Sequence, residues 1–167
     1  TISVDVDPVD PRTDYSHLGT MVCHHSKYNL GDINVQHNVP ENTTGKFGED
    51  MVSLPLYLYD HSGLTMNTTG FSCPWDSGQV GLICVSRERL VEEFGVNYAD
   101  DLTDSDIKDV LRDEVEEYDY YLRGDIYGFE IVYPDGTEDS CWGFYGDEYC
   151  LEQARAEIDR VMDDANV

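Results

Sequence analysis

Basic side chains are scarce in this chain. Only 3 Lys and 7 Arg stand against 22 Asp and 13 Glu, and the formal net charge is −25 over 167 residues. A surface of that sign is repelled by nucleic-acid phosphates and by anionic membranes, which excludes direct DNA or RNA binding through a basic face. Long apolar runs are missing too: none approaches the roughly 20 residues that a membrane-spanning helix needs. The N-terminal residues show no basic-then-apolar leader, so no signal peptide is expected. Phosphate-cradling glycine loops are also lacking, with neither a GxxxxGKS/T nor a GxGxxG string. The five cysteines, Cys23, Cys73, Cys84, Cys141 and Cys150, form no CxxC pair and no regular framework. An odd, irregular set in a chain long enough to build its own core is expected of reduced thiols in a cytoplasmic setting.

What is present suits one compact core. Apolar residues make up 40% of the chain, and a single domain over 1–167 is expected. The acidity favours Asp, a poorer helix former than Glu, and avoids Lys, normally a common surface residue. Dense carboxylates keep a surface hydrated in very salty media, where their repulsion is screened over a few ångströms, so a halophilic origin is expected. The charge is uneven: residues 1–83 hold 10 acids and 3 bases, and residues 84–167 hold 25 acids and 7 bases. Any functional use of negative potential is therefore to be sought in the C-terminal half.

Residues 1–17 read as an irregular lead-in, and 33–50, rich in Asn, Thr and Gly, read as a long polar loop. Leu18–Cys23 reads as a short strand. Val52–Tyr59 alternates in period two, with Pro55 suited to an edge or a bulge. Further strands are expected over Leu64–Thr68 and Gln79–Val85, with Cys84 a buried small hydrophobe. Ser86 and Gly95 bracket a short helix over Arg87–Phe94. Thr103 or Ser105 opens a helix over 104–122, with Ile107, Val110, Leu111, Val115, Tyr118 and Leu122 spaced by three and four. Ile126–Tyr133 and Asp139–Phe144 form a hairpin about Pro134-Asp-Gly136. Asp147 caps a last helix, over 147–164, with Leu151, Ala154, Ile158, Val161 and Met162 on one face. This order predicts an α+β fold with a mainly antiparallel sheet, two longer helices and one short helix in the second half.

The densest polar cluster lies in the first half. Cys23-His24-His25, Asp60-His61-Ser62 and Cys73-Pro-Trp-Asp76 each border a strand. Were the strands neighbours, His24, His25, Asp60, His61, Cys73 and Asp76 would converge at one sheet end. Thiolate, imidazole and carboxylate suit zinc, and a hydrolytic nucleophile–base pair could be built from the same set. The competing reading has Asp60, Ser62 and Asp76 capping turns through backbone N–H groups, with His61 in a polar niche. Asn42-Thr-Thr44 and Asn67-Thr-Thr69 match the glycosylation triplet but read better as turns. The tyrosines at 118, 120, 121, 127 and 133 resemble a stacking platform, better taken without basic partners as core, rim or protein-interface aromatics.

Several strings are distinctive: Leu18-Gly-Thr-Met-Val-Cys-His-His-Ser-Lys-Tyr-Asn-Leu-Gly-Asp32, Pro55-Leu-Tyr-Leu-Tyr-Asp-His-Ser-Gly-Leu-Thr-Met66, Phe71-Ser-Cys-Pro-Trp-Asp-Ser-Gly-Gln-Val-Gly81 and Tyr121-Leu-Arg-Gly-Asp-Ile-Tyr-Gly-Phe-Glu130. Together they resemble a widespread family of small proteins encoded by tailed phages, prophages and plasmids, over residues 18–162. That family carries no assigned activity, so the resemblance implies a mobile-element context and transfers no residue role. Small acidic proteins of such elements resemble inhibitors of host defence, some of which imitate the charge of DNA.

The first expectation is therefore a non-catalytic accessory protein that binds a host protein, such as a nucleic-acid-binding defence enzyme. Asp106, Asp109, Asp113, Glu116 and Glu117 of one helix, with Glu148, Glu152, Asp159 and Asp163 of the other, would supply an anionic surface. The rival is a metal-binding or hydrolytic enzyme centred on the His/Cys/Asp cluster, with zinc as its cofactor. A third reading makes the acidity purely halophilic and the binding surface neutral and aromatic. Halophilic adaptation predicts a melting temperature that rises steeply between low and multi-molar salt; equal melting curves in both would refute it.

Overall fold

The computed structural model describes residues 1–35 and 51–164. Among them are five helices and eight strands in two mainly antiparallel sheets, an α+β architecture. The chain divides into two compact units, Asp10–Asp119 and Thr1–Val9 with Tyr120–Val167.

The larger unit holds a five-stranded sheet in the order β3-β2-β6-β4-β5. Its strands are β2 (Thr20–Cys23), β3 (Ile33–Asn34), β4 (Met51–Asp60), β5 (Leu64–Asn67) and β6 (Ser77–Ser86). Only β2 and β3 run parallel. Among the described residues Pro55 lies in the part of β4 that pairs β6 alone, because β5 ends at Asn67, opposite Tyr57. Its missing N–H therefore costs no ladder bond to β5, and a bulge follows between Leu56 and Tyr57. The central strand β6 is buried from Val80 to Val85, including Cys84. At Gly81 a side chain is impossible: a Cβ would stand 2.1 Å from the Val22 carbonyl oxygen of β2.

Helices α2 (Arg87–Phe94), α3 (Val96–Asp101) and α4 (Asp104–Arg123) follow β6. Ser86 Oγ accepts the Arg89 N–H at 3.2 Å, and Gly95 at φ 82° ends α2, as their residue types predict. Thr103 and Asp106 cap α4 reciprocally. The Asp106 N–H donates to Thr103 Oγ1 at 3.2 Å, and the Thr103 N–H donates to Asp106 Oδ2 at 2.9 Å. Ile107, Leu111, Val115 and Tyr118 of α4 are buried, and each such side chain contributes about 1.5–3 kcal/mol. Val110, expected on that face, is 40% exposed. Asn67 Oδ1 accepts the Thr69 and Gly70 N–H groups, the turn geometry its sequence suggested.

The smaller unit holds a three-stranded antiparallel sheet, β1 (Ile2–Val4), β7 (Ile126–Val132) and β8 (Glu138–Tyr145), in the order β1-β7-β8. The β7–β8 turn closes through the Gly136 N–H to the Tyr133 carbonyl at 2.9 Å. Helix α5 (Asp147–Asp164) packs on this sheet through Cys150 and Ala154, against Phe129 and Ile131. Leu151, Ile158 and Met162 are exposed, so the buried stripe is rotated from the expected one. The small Cys150 sits deepest, and one position of helix turns a face by about 100°.

The first 17 residues are not irregular: they contain β1 and the short helix α1 (Pro11–Asp14). Helix α3 was also not foreseen. Of the expected 33–50 loop, Ile33–Asn34 form β3, while residues 36–50, with Asn42, lie outside the described set.

Arg12 of α1 is the one buried charged side chain among the described residues, at 6% exposure. Its Nε donates to Asp32 Oδ1 at 2.9 Å, and Nη2 meets Asp32 Oδ2. Nη1 donates to Glu114 Oε2 at 2.9 Å, and Nη2 donates to the Gly19 carbonyl at 2.8 Å. Both carboxylates also accept backbone donors: Leu18 N–H reaches Glu114 at 2.6 Å and Met21 N–H reaches Asp32 at 2.7 Å. Removing one partner from such a buried set typically costs about 3–5 kcal/mol. Arg12→Met is expected to lower chemical-denaturation stability by that order, with Arg12→Lys intermediate because it keeps the charge and loses the planar fork. A wild-type denaturation midpoint for Arg12→Met would refute the assignment.

Candidate functional site

Three strands of the larger unit deliver the His/Cys/Asp cluster to one sheet end. β2 runs out at Cys23 into His24 and His25, β4 ends at Asp60, and Asp76 immediately precedes β6. Because β2 and β4 flank β6, the Cys23–Gly81 and Tyr59–Ser77 pairings bring these termini together. They enclose an open cleft of about 430 Å³, lined among others by His24, His25, Asp60, Trp75, Asp76 and Gln79. The Trp75 side chain is 92% exposed.

Most polar groups there are committed to local structure. His24 Nδ1 donates to the Val35 carbonyl at 2.6 Å. His25 Nδ1 accepts the N–H groups of Lys27 and Tyr28 at 3.2 and 3.3 Å, and its ring stacks on Tyr28. Burial lowers the His25 pKa, the neighbouring Lys27 and His24 charges act in the same direction, and Asp60 opposes them. Tyr28 O–H donates to both Asp60 oxygens, and Lys27 Nζ lies 3.7 Å from Asp60 Oδ2. The Asp60 N–H donates to the Asp76 carbonyl at 2.8 Å, tying the two turns.

The side chains of His61 and Cys73 join this group at Asp76. Asp76 Oδ2 is 3.3 Å from His61 Nδ1 and accepts the Cys73 thiol at 3.8 Å. Thiol–imidazole catalysis needs the imidazole beside the sulfur, so that the base can take the proton. Here the thiol and the imidazole both meet the same Asp76 oxygen, and the His61 ring stacks on Tyr59. Among the described residues, no group of three or more His, Cys, Asp or Glu side chains is placed to hold a metal ion. The strand ends thus bring His24, His25, Asp60 and Asp76 to one sheet end, with His61 and Cys73 against Asp76, and the Asp60 and Asp76 carboxylates accept from the Tyr28 hydroxyl and the Cys73 thiol.

The acidic candidates behave differently. Asp106, Asp109, Asp113, Glu116 and Glu117 of α4 are all exposed, as are Glu148, Glu152, Asp159 and Asp163 of α5. Each helix carries its own carboxylates on the face away from its buried stripe. Arg112 pairs with Asp109. Hydrogen bonds from Thr103 hold the Asp106 carboxyl below its usual range. Partial desolvation pushes Glu117 up, helped by Glu114 and Asp113 and opposed by Arg12. Glu148 and Glu152 border a cleft of about 420 Å³ with Tyr120, Tyr145 and Tyr149.

The tyrosines do not form one platform. Tyr118 is buried under α4, where its hydroxyl accepts the Gly31 N–H at 3.1 Å. Tyr120 pairs with Tyr145 and lies under Arg123, and Tyr127 and Tyr133 pack against the smaller core. Beside the α4 acids, by contrast, Phe94, Tyr98 and Val110 are 42%, 57% and 40% exposed. Sequence reasoning missed this patch because Val110 was assigned to a core face and Phe94 was read only as the end of a short helix. The signal was Val110 itself, spaced with Asp106, Asp113 and Glu117 rather than with Leu111 and Val115.

Comparison of the chain with protein-family models, with curated proteins and with solved structures found no match.

The raised Glu117 pKa sets a pH signature for the α4 face. A carboxyl whose folded pKa exceeds its unfolded value stabilises the fold below the unfolded value and loses that contribution as pH rises through the folded one. Glu117→Gln is therefore expected to raise the melting temperature at pH 7, with the gain vanishing below the ordinary glutamate value of 4.5. A gain of equal size at both pH values would show that desolvation of the charge is not the cause.

Proposed function

We propose that the protein is a non-catalytic inhibitor that binds a basic partner protein through its helical carboxylates. In the mobile-element setting implied by the sequence resemblance, that partner is a nucleic-acid-binding host-defence enzyme in the cytoplasm. The observation that carries the reading is α4: its apolar stripe is buried, while five acids from Asp106 to Glu117 face solvent. These five lie within 12 consecutive residues, a span of about 17 Å at the helical rise. A duplex strand places its phosphates about 3.4 Å apart along the axis, so the helix is a sparser array of the same sign. A groove built to hold phosphate would accept such an array, steered by opposite charge and sensitive to salt.

A catalytic reading has less support. At the sheet end the Cys73 thiol is directed to the Asp76 carboxylate, which also meets His61, whereas a nucleophile–base pair directs the thiol to the imidazole. No helix of the described residues is long and apolar enough to cross a membrane.

The test is competition with labelled duplex DNA on a panel of restriction endonucleases and other defence nucleases. The protein is expected to displace duplex from at least one of them, and its apparent affinity should fall as salt rises above about 0.2 M. Neutralising Asp109, Asp113, Glu116 and Glu117 to their amides should weaken displacement at least about tenfold, some 1.4 kcal/mol. Asp106 is left intact because it caps α4. Displacement unaffected by the neutralisation, or none from any enzyme tested, would overturn the reading.

A further inference from the structure

Two adjoining hollows in the larger unit form a single groove between α2, α3, α4 and the segment before β2. One, of about 540 Å³, is lined by Tyr98, Leu102, Asp106 and Ile107; the other, of about 290 Å³, by Tyr15, Glu93, Asp113 and Glu117. Leu18, Phe94 and Val110 line both, so they form a continuous floor. The floor is apolar and part of it faces water: Phe94 and Val110 are each about two-fifths exposed. Phe94 and Tyr98 lie against each other with ring centroids 5.6 Å apart, a fixed aromatic wall.

The rim is acidic on both sides of that floor. Asp106, Asp113 and Glu117 line it from α4, Asp101 from α3 and Glu93 from α2. The two bases that touch the groove are already engaged. Arg12 is held by Asp32 and Glu114, and Arg89 lies 2.9 Å from Glu93. An apolar trough edged by carboxylates is complementary to one chemical class: an amphipathic helix with an apolar stripe flanked by Lys and Arg. A second copy of this chain does not fit, because each copy carries a net charge of −25 and only 10 basic side chains. An anionic membrane is repelled for the same reason.

We infer that this groove, floored by Leu18, Phe94 and Val110, is the docking site for a cationic amphipathic helix of the partner protein. The inference deepens the function proposed above and rests on it in one respect only, that the partner is a basic protein. It also supplies what carboxylates alone lack. In molar salt the screening length falls to about 3 Å, so charges act only at contact. Burial of apolar side chains survives such conditions and is strengthened by excluded salts.

The probe is a synthetic helix of about 18 residues, five turns, with Leu at i, i+3, i+4 and i+7 and Lys on its other face. A peptide of the same composition with the Leu positions scattered is the control. Binding of each to the full chain is read by fluorescence anisotropy at about 0.2 M and about 1 M salt. The patterned peptide is expected to bind one-to-one, at least about tenfold tighter than the control. Val110→Ser and Phe94→Ser, which leave the charge unchanged, should each weaken it at least about fivefold at both salt levels. Both sites are half-exposed, and unchanged circular dichroism and sedimentation would verify folding and monomeric state.

Equal binding of patterned and scattered peptides, or full binding by both serine variants, overturns the groove. So does a dimer of the wild-type chain that Val110→Ser dissociates. In any of these cases the anionic reading stands if the amide variant still loses DNA competition. Conversely, tight groove binding with no displacement of DNA from any nuclease sustains the docking site and removes the charge-mimic reading.

Discussion

One guanidinium organises the larger unit. Arg12 reaches Asp32 in the loop after β2, Glu114 in the middle of α4 and the Gly19 carbonyl at the start of β2. Each carboxylate then receives main-chain donors from the same stretch, Leu18 and Gly19 on one and Met21 on the other. The entry to β2 and the helix laid over it are thus registered by a shared cation rather than by apolar contact alone. Such a set is not a source of large net stability, since desolvation offsets most of the attraction. Its effect is exclusion: with any member missing, an uncompensated charge is left among buried groups. In a chain this acidic, Arg12 is also a base that none of the surface carboxylates can draw away without leaving Asp32 and Glu114 bare.

This network was the least legible part of the fold. Arg12 is separated from its partners by 20 and 102 residues, and no local periodicity links them. Helix α2 and the β7–β8 hairpin were readable because their signals are local: a serine and a glycine at the two ends, or proline and glycine within a turn. The four buried positions of α4 followed from three-and-four spacing. Val110 did not, because a valine one position before a core leucine gives the same pattern whether it faces the core or a groove. In α5 the misreading was of the same type. Bulky Leu151 and Ile158 outweighed Cys150 and Ala154, although small residues are what lets a helix lie close on a sheet. β1 and α1 are too short, at three and four residues, to show any period.

The candidate site was legible as a set of residues and illegible as a chemistry. Strand ends that border one another do gather His24, His25, Asp60 and Asp76, as their positions at element boundaries suggested. Which atom faces which is decided by turns, and turns set the Asp76 carboxylate against both the Cys73 thiol and the His61 ring. The acids of α4 were easier, since exposure on the far side of an amphipathic helix follows from the buried stripe. Their neighbours on the groove floor give those charges a context: carboxylates beside half-exposed aromatics discriminate among partners, whereas carboxylates on a bare helix repel and attract by sign alone.

The pairing of β1 with β7 has a consequence for how the chain is made. Ile2 stands opposite Phe129, so β1 finds its neighbour only once the long stretch of chain between them has been made. Asp10–Asp119 is contiguous and can close on itself during synthesis, whereas the three-stranded sheet waits for its last two strands. Late, long-range closure of this kind slows assembly and leaves an early strand edge unprotected in the meantime. Residues 1–9 therefore wait as an unsatisfied ribbon until β7 follows, and the contiguous unit can mature before the one that joins distant segments.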